Sequence, residues 1–455
     1  MQALPSSVHP IASLLLLALL NACHSRVGYE PPRIPAPSDA ASADTRLGGE
    51  QSPPESDPNI PSDSANANGD PIASDIAAGD TATGDTDAGD RVSDGDASLC
   101  IPNPLATNRD ATLVIGQNDF LSNAANQGAS PSASTLSNPM GVYVHAGRLY
   151  IADNGNHRVL IFDELPTVNG AAADHVVGQP DFFTATPKTS ATGFNGPQGI
   201  SVDDDYLAVS EWSNSRVSFW PLASLLTAPR ATAVFGQPDL DTSGTNTGGL
   251  SDRTLATTSD VKRVGAQYLV TDPGNNRVLG VLASAIGPSG AAAHLILGQA
   301  SSTTNGAGSG WAELSAPLGL AFNGQQLVVV EYGNDRLAIF NSMPTVTGAA
   351  ADLAWGGWGV DALHLSSPVG TWLTGSQLFV ADRSNDRIMV FNGVPTDPSD
   401  SADVVLGQVD FAGSEHNQCS CTSAKANTLW GAHFVFVGPC RTIVADTQNN
   451  RVLIY

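Results

Sequence analysis

A six-residue pattern, D-x-x-N-x-R, occurs six times between residues 153 and 451 and constrains the fold more than any other feature of the chain. Each copy lies between two short runs of β-branched and apolar residues, as expected for a turn that joins two strands. Such repetition is typical of folds built from one repeated supersecondary unit. The acid and the arginine of the six copies are Asp153 and Arg158, Glu211 and Arg216, Asp272 and Arg277, Glu331 and Arg336, Asp382 and Arg387, and Asp446 and Arg451.

A second pattern marks the last strand of each unit, where an apolar run ends in Gly-Gln. The pair stands at Gly178-Gln179, Gly236-Gln237, Gly298-Gln299 and Gly407-Gln408, and the fourth unit has Gly356-Gly357 instead. Each unit then contains four short strands, which is the content of a propeller blade. The predicted fold is all-β: a six-bladed β-propeller of four-stranded antiparallel blades.

The two ends of the repeat region complement each other. The sixth unit stops at Tyr455, after its third strand, and a spare fourth strand with its own Gly-Gln pair lies upstream at residues 112–117. An unpaired edge strand would expose a ladder of backbone donors and acceptors. We therefore expect this N-terminal strand to pair with the last blade and close the ring.

We interpret the D-x-x-N-x-R motif as structural. A ring of six catalytic or ligand sites is the alternative, but a catalytic site needs one set of groups rather than six copies. A carboxylate and a guanidinium that pair across a turn, with Asn supplying the turn geometry, account for all six. The Gly-Gln pair is expected to end strand four and to hydrogen-bond the next loop.

The segment Asn156-His157-Arg158-Val159-Leu160 contains, in order, the residues N, H and L that give a known repeat its name. From about residue 111 to residue 455 the chain resembles the NHL-repeat β-propellers. Some NHL-like propellers resemble metal-dependent lyases or hydrolases, with His or carboxylate ligands that converge on the central channel. The resemblance therefore implies the propeller fold and leaves such an enzymatic activity as an alternative.

The N-terminal region divides into two further segments. Residues 1–22 end a short apolar core with Leu20-Asn21-Ala22 and resemble a bacterial lipoprotein signal, which implies lipidation of Cys23; an ordinary secretory signal is the alternative. Residues 23–99 are rich in Ala, Ser, Asp, Gly and Pro and predict a disordered acidic tether. The propeller then spans residues 100–455, and we expect an envelope lipoprotein anchored to the outer membrane and facing the periplasm or the exterior.

Four cysteines remain once Cys23 is set aside, and an even number in an exported chain indicates two disulfides. They are Cys100, Cys419, Cys421 and Cys440, and three pairings of them are open. Because Cys100 precedes the spare strand and the other three fall in or before the last blade, we predict that one bond ties Cys100 to that blade. The C-x-C spacing does not fit a zinc knuckle.

The net charge of −24, with 44 acidic residues against 20 basic ones, argues against a nucleic-acid partner. The remaining expectation is a monomeric, non-catalytic module that binds a protein, peptide or glycan. Its site should lie on the face that carries the long crossovers between blades and at the channel mouth. No cofactor is predicted, and calcium or zinc in a channel-based lyase or hydrolase is the alternative.

Candidate ligand contacts come from two sets of positions. Strand one should line the channel, and the residue two places after its Gly varies strongly between units. Trp212 and Tyr332 follow the motif acid on the loop face, and Asp260 replaces the strand-one Gly in the third unit. Packing between blades is the alternative role for these side chains. The strand-one set is Tyr143, Ser201, Lys262, Ala321, Trp372 and His433.

Overall fold

The computed structural model describes residues 105–439 and 441–455. The predicted signal, the lipidation site at Cys23, the tether, Cys100 and Cys440 lie outside the described residues. The described part contains six four-stranded antiparallel sheets, and the prediction of an all-β, six-bladed propeller is confirmed.

Strands follow one another in space within a blade as they do in the chain. Blade one comprises β2 (Pro139–His145), β3 (Arg148–Asp153), β4 (Arg158–Phe162) and β5 (His175–Val177). Blade two comprises β6 (Pro197–Val202), β7 (Tyr206–Glu211), β8 (Arg216–Pro221) and β9 (Ala233–Phe235). Blade three comprises β10 (Val261–Val264), β11 (Gln267–Asp272), β12 (Arg277–Leu282) and β13 (Leu295–Leu297).

Blades four and five repeat this order, and blade six takes its outer strand from the other end of the propeller. Blade four comprises β14 (Pro317–Phe322), β15 (Leu327–Glu331), β16 (Arg336–Phe340) and β17 (Leu353–Gly356). Blade five comprises β18 (Pro368–Thr374), β19 (Gln377–Asp382), β20 (Arg387–Phe391) and β21 (Val404–Leu406). Blade six comprises β22 (Ala432–Val437), β23 (Thr442–Asp446), β24 (Arg451–Ile454) and β1 (Leu113–Ile115).

The ring closes as predicted. β1 pairs antiparallel with β24, and Leu113 lies opposite Ile454. The first strand of every blade contacts the first strands of both neighbouring blades, and β2 of blade one contacts β22 of blade six. These six first strands therefore surround the central channel.

Helical structure in the described residues is limited to single 3₁₀ turns. Six of them form the turns between strands two and three and contain the motif asparagines. Those six are Asn154–Asn156, Trp212–Asn214, Pro273–Asn275, Tyr332–Asn334, Arg383–Asn385 and Thr447–Asn449. The others lie in connections, at Ala125–Gly128, Leu222–Ser224, Ala283–Ala285 and His416–Gln418.

Strands are buried on both faces because each blade is packed between two others. In β3, the side chains from Leu149 to Ala152 are almost wholly buried although they alternate between the two faces. Continuous apolar runs of this kind are expected where neither face meets solvent. The core is therefore the set of interfaces between blades.

Outer strands receive hydrogen bonds from the connection between strands three and four of the next blade. Gly170 N–H donates to Val114 O, and the Asn169 side chain accepts from Val114 N–H, so that blade one covers the edge of blade six. The segment before β1 does the same for blade five, because Asn108 N–H donates to Val405 O at 2.9 Å. The ring seam thus involves the chain from residue 105 onward.

Candidate functional site

The motif acid and arginine form a buried ion pair in each blade. In blade one, Arg158 Nε lies 2.7 Å from Asp153 Oδ2, and both side chains are fully buried. Asn156 Nδ2 donates to the same carboxylate at 2.7 Å, and Ser137 N–H donates to its other oxygen. The other five pairs have the same geometry, with Nε–carboxylate distances of 2.6–2.8 Å.

The remaining guanidinium protons bind the crossover loops. Arg158 Nη2 donates to Ser132 O and Thr135 O, both at 2.9 Å, in the crossover that enters blade one. Its Nη1 donates to Phe182 O in the crossover that leaves the blade. One planar donor group therefore fixes two loops to one turn, which a Lys ammonium could not do in this geometry.

Burial opposes the charge on these carboxylates. It raises the pKa of Asp153, Asp272 and Asp446 above the usual range, although the paired arginine lowers it. The same causes raise the pKa of Asp382 to about 6. A buried ion pair that needs this many hydrogen bonds is organised to hold loops in place, and no side chain of it reaches solvent in blades one, two, three, five and six.

The Gly-Gln carboxamides bridge the turn and the loop that follows. Gln179 Nε2 donates to His157 O and to Thr186 O, both at 2.9 Å. Gln299 and Gln408 make the equivalent pair of bonds. In the units that have Gly-Gln, the crossover therefore begins at a fixed point on its blade.

The residue between the motif Asn and Arg joins its blade to the next one, a role that sequence reasoning missed. His157 Nδ1 accepts from Gly196 N–H at 3.1 Å, and Asn276 Oδ1 accepts from Ala316 N–H at 2.9 Å. In blade five, Asp386 Oδ1 accepts from Gly431 N–H at 2.6 Å. Asp335 and Asn450 do the same, which gives five such bonds around the ring.

Glycine on strand one permits close approach between neighbouring first strands. A Cβ at Gly141, Gly319 or Gly370 would collide with a backbone carbonyl of the next blade. In blade three, Asp260 holds this position, and its Oδ2 accepts from Leu320 N–H of blade four at 3.0 Å. Burial raises the pKa of Asp260 to about 6, against the lowering effect of Lys262 and two backbone N–H donors.

The channel contains an aromatic cluster with a lysine. Lys262 Nζ lies 3.9 Å from the Trp372 ring centre and 5.6 Å from that of Tyr143, so that side chains of blades three, five and one meet. The Trp372 and Tyr143 centres are 5.7 Å apart. Of the strand-one candidates, the structure thus brings these three together, whereas Ser201 is buried and accepts from Arg263 N–H.

Blade six does not supply His433 to this set. The pairing places Phe436, not His433, at the position of Tyr143, because Phe436 lies opposite Ile443 as Tyr143 lies opposite Tyr150. Phe436 completes the cluster, with its ring centre 4.5 Å from that of Trp372. In the sequence, Gly431 resembles the strand-one glycines of the other units. In the structure it precedes the strand and has a φ of +61°.

His433 lies nearer the crossover side, at the position of Met140 in blade one. Its ring is buried, Nδ1 has no hydrogen-bond partner among the described residues, and burial lowers its pKa to about 3. Thr258 Oγ1 and Ser259 Oγ, just before the first strand of blade three, are also buried without a partner among those residues. Buried polar atoms of this kind are normally satisfied by water or a ligand.

The two loop-face candidates are partly buried. Trp212 and Tyr332 both pack against the core cluster that contains Leu318 and Val369 of the first strands. They therefore lie where the turns approach the channel mouth. Their packing supports the structural role as well as a ligand contact.

Larger exposed aromatic side chains lie on the crossovers and were not singled out from the sequence. Phe183, Trp311 and Trp358 are 71%, 58% and 79% exposed. Each follows or precedes a carbonyl that a motif side chain binds; Arg336, for example, donates to Gly310 O, next to Trp311. Their position in otherwise polar crossovers is the feature of the sequence that could have identified them.

Neither a metal-binding cluster nor a membrane-spanning helix occurs in the described residues. Within 105–439 and 441–455, no three His, Cys, Asp or Glu side chains are grouped so that they could hold a metal ion. The same part of the chain contains no helix that is long and apolar enough to cross a membrane.

The family model of the NHL repeat matches residues 136–162. These residues begin just before blade one and end with its third strand, β4. No curated protein matches the chain. Among solved structures, virginiamycin B lyase from Staphylococcus aureus is 11% identical, with 71% of this chain and 96% of that chain covered and a TM-score of 0.39. The PQQ-bound aldose sugar dehydrogenase from Streptomyces coelicolor is 14% identical, with 72% and 96% covered and a TM-score of 0.42. A chain of a nidogen–laminin complex is 13% identical, with 64% and 96% covered and a TM-score of 0.38.

Proposed function

We propose that the propeller is a non-catalytic binding module for a protein, peptide or glycan, which it engages through its crossovers and the channel mouth. The observation that carries this proposal is the exposure of Phe183, Trp311 and Trp358 on three crossovers. Large aromatic side chains supply much contact area at a low cost in side-chain entropy.

The motif supports this role by holding the exposed side chains on a rigid base. Phe182 O, next to Phe183, accepts from buried Arg158, and Gly359 O, next to Trp358, accepts from Asn385 at 2.8 Å. A binding residue on a fixed loop loses less conformational entropy when it meets its partner. A repeated scaffold that holds variable crossovers in place is expected of such a module.

We further propose that lipidation at Cys23 anchors the protein to the outer membrane and that residues 24–99 hold the domain away from it as a monomer. A low-hydrophobicity segment with 15 acids against four arginines between residues 24 and 99 favours an extended chain. The acidic balance of the whole chain disfavours nucleic acid as the partner.

The experiment is a binding screen of the full chain against glycan arrays and envelope or extracellular protein fractions, with the hits measured by calorimetry. Substitution of Phe183, Trp311 or Trp358 by Ala should weaken binding at least about tenfold for one or more of them, as for an interface hot spot. Their melting temperatures should not change, because the side chains are exposed.

Val168→Ala and Val346→Ala are matched controls. Both valines are 63% exposed, but they lie in connections between strands three and four rather than in crossovers. Equal binding by all five variants would contradict the crossover site. Metal-dependent turnover of a hit that is lost with Asp260→Asn would instead favour the channel-based lyase or hydrolase.

A further inference from the structure

The crossover from blade five to blade six contains a disulfide between two residues that are only two apart. Cys419 and Cys421 are bonded, with Ser420 between them in the left-handed region at a φ of +48°. We propose that this disulfide is a thiol–disulfide exchange site, which opens and closes against a dithiol partner while the propeller stays folded.

The same crossover exists without cysteines in blades one and three. Asn126 and Asn246 each exchange two side-chain hydrogen bonds with the motif asparagine of the following blade. Asn417 in blade six makes the same reciprocal pair with Asn449, at 2.8 and 3.2 Å. The anchoring of the loop is therefore common to the three blades and does not depend on the disulfide.

The cysteines lie in a crossover that is longer than its counterpart in blade one. Nine positions separate Asn126 from Thr135, whose carbonyl the motif arginine of blade one binds, and 11 separate Asn417 from its counterpart Thr428. The two extra residues fall in the stretch that contains Cys419, Ser420 and Cys421. A disulfide inside so short a loop removes little entropy from the unfolded chain, so structural stabilisation does not explain it.

The two cysteines differ in exposure. Cys419 is exposed and Cys421 is half-buried. An external thiolate therefore reaches Cys419 Sγ first, and exposed disulfides are typically the exchangeable ones. The attack forms a mixed disulfide at Cys419, breaks the Sγ–Sγ bond and releases Cys421 as a thiolate.

The second thiol of the partner completes the reaction. Its thiolate attacks the mixed disulfide, which releases Cys419 as a thiolate and leaves the partner as a disulfide. Two electrons pass from the partner dithiol to the cysteine pair, and the partner's two protons are taken up by the two cysteine thiolates. The reverse sequence re-forms the Cys419–Cys421 bond and reduces a partner disulfide to a dithiol.

The backbone holds both cysteines close enough to re-form the bond. Asn417, which is fully buried, donates from Nδ2 to Cys421 O at 3.1 Å. Cys419 N–H donates to His416 O at 3.3 Å, and Asn123 Nδ2 donates to Thr422 O at 2.7 Å. None of these bonds uses a cysteine sulfur, so they can persist when the disulfide opens.

The test is a redox titration of the full chain. The folded protein is equilibrated with mixtures of reduced and oxidised glutathione, trapped with an alkylating reagent and digested, and the peptide with Cys419 and Cys421 is quantified by mass spectrometry. We expect reversible opening within the range of the glutathione couple and an unchanged circular dichroism spectrum. A disulfide that stays closed until denaturant unfolds the protein, or whose reduction unfolds it, would overturn the proposal.

Single variants test the assignment of the two sulfurs. Cys421→Ser leaves the exposed Cys419 and should form a mixed disulfide with oxidised glutathione at least about tenfold faster than Cys419→Ser, which leaves the half-buried sulfur. Equal rates would overturn the proposed order of attack. A variant that fails to fold leaves the peptide-level titration of the unsubstituted chain as the deciding measurement.

Discussion

The residue between the motif Asn and Arg shows how one position serves several chemistries. It always adopts a left-handed backbone, with φ between +50° and +53° in all six blades. Asn suits this conformation best among residues with a side chain, and blades three and six have Asn276 and Asn450 there. Blades one and five use His157 and Asp386, and each carries a consequence for stability.

His157 should make the stability of the fold depend on pH. Its Nδ1 accepts from Gly196 N–H only when the ring is neutral, and burial lowers the pKa of His157 below 6.5. A base with a lowered folded pKa contributes stability above its unfolded pKa, and that contribution is lost as the pH falls through this region. His157→Asn keeps an acceptor that does not titrate. We expect the melting temperature of the variant to fall less than that of the unsubstituted protein between about pH 7.5 and about pH 5; identical pH profiles would contradict this role.

Asp386 should be a site where the native residue costs stability. Burial raises the pKa of Asp386 well above its usual range, and the neighbouring Asp446 adds to the effect. A raised folded pKa means that stability present at low pH is lost as the pH rises above about 3.8. Asp386→Asn keeps the acceptor for Gly431 N–H without the buried charge. We expect a gain on the order of 1 kcal/mol at neutral pH by chemical denaturation.

The control at the same position is Asp386→Ala, which removes the acceptor. It leaves Gly431 N–H without its partner and places Ala in a left-handed conformation. We expect a loss of about 1–3 kcal/mol. A stabilising Ala variant would show that relief of the charge, rather than the inter-blade hydrogen bond, dominates at this site.

At the scale of the element, the turns between strands two and three follow from the repeated pattern. The repeated pattern located all six turns, since a motif that recurs in register identifies the same hairpin each time. Counting back from the motif acid would also have corrected blade six. Gly141 lies 12 positions before Asp153, and Phe434, not Gly431, lies 12 positions before Asp446. Gly431 resembles a strand-one glycine in the sequence because a left-handed residue, often Gly or Asn, also precedes strand one.

The bonds of the motif arginine to the crossovers could not be predicted from the pattern. They join Arg277 to the carbonyls of Ser251, Thr254 and Ser302, which are backbone groups and carry no signal in the sequence. The same holds for the cluster around Lys262, whose partners lie on blades that are distant in the chain. Periodicity predicts which strands form, whereas the site depends on which side chains the closed ring brings together.

Arginine at the motif should be more important where it is fully buried. Arg277→Lys keeps the charge but cannot reach Asp272 and three carbonyls together, and breaking a buried pair costs about 3–5 kcal/mol. Arg336→Lys is the matched control, since Arg336 is 14% exposed and water can replace its lost donors. We expect the loss in the free energy of unfolding to be smaller for Arg336→Lys by at least about 1 kcal/mol. Equal losses would indicate that burial of the pair is not what determines its contribution.

For the whole molecule, the decisive structural event is the pairing of two segments from opposite ends of the domain. Leu113 and Ile454 pair directly, and Asn108 extends the contact to blade five. The count of strands predicted this closure, because the spare N-terminal strand can fill the position of the missing fourth strand in blade six. The hydrogen bonds by which each outer strand is covered were not predicted, because most of them join backbone groups, which carry no signal in the sequence.

The cysteines should reinforce this closure. Because Cys419 is bonded to Cys421, the two cysteines left for the second predicted disulfide are Cys100 and Cys440. Cys440 lies in the sequence between β22 and β23 of blade six, and Cys100 lies just before the segment that covers blade five.

Peptide mapping without reduction should find Cys100 bonded to Cys440, and Cys440→Ser should lower the free energy of unfolding by about 2–5 kcal/mol, because the bond closes a very long loop. The Cys419→Ser, Cys421→Ser double variant should lose far less, since its loop is minimal. Cys100 bonded to Cys419 or Cys421 would contradict the Cys100–Cys440 pairing, and equal losses in the two variants would contradict the expected contribution of the long loop.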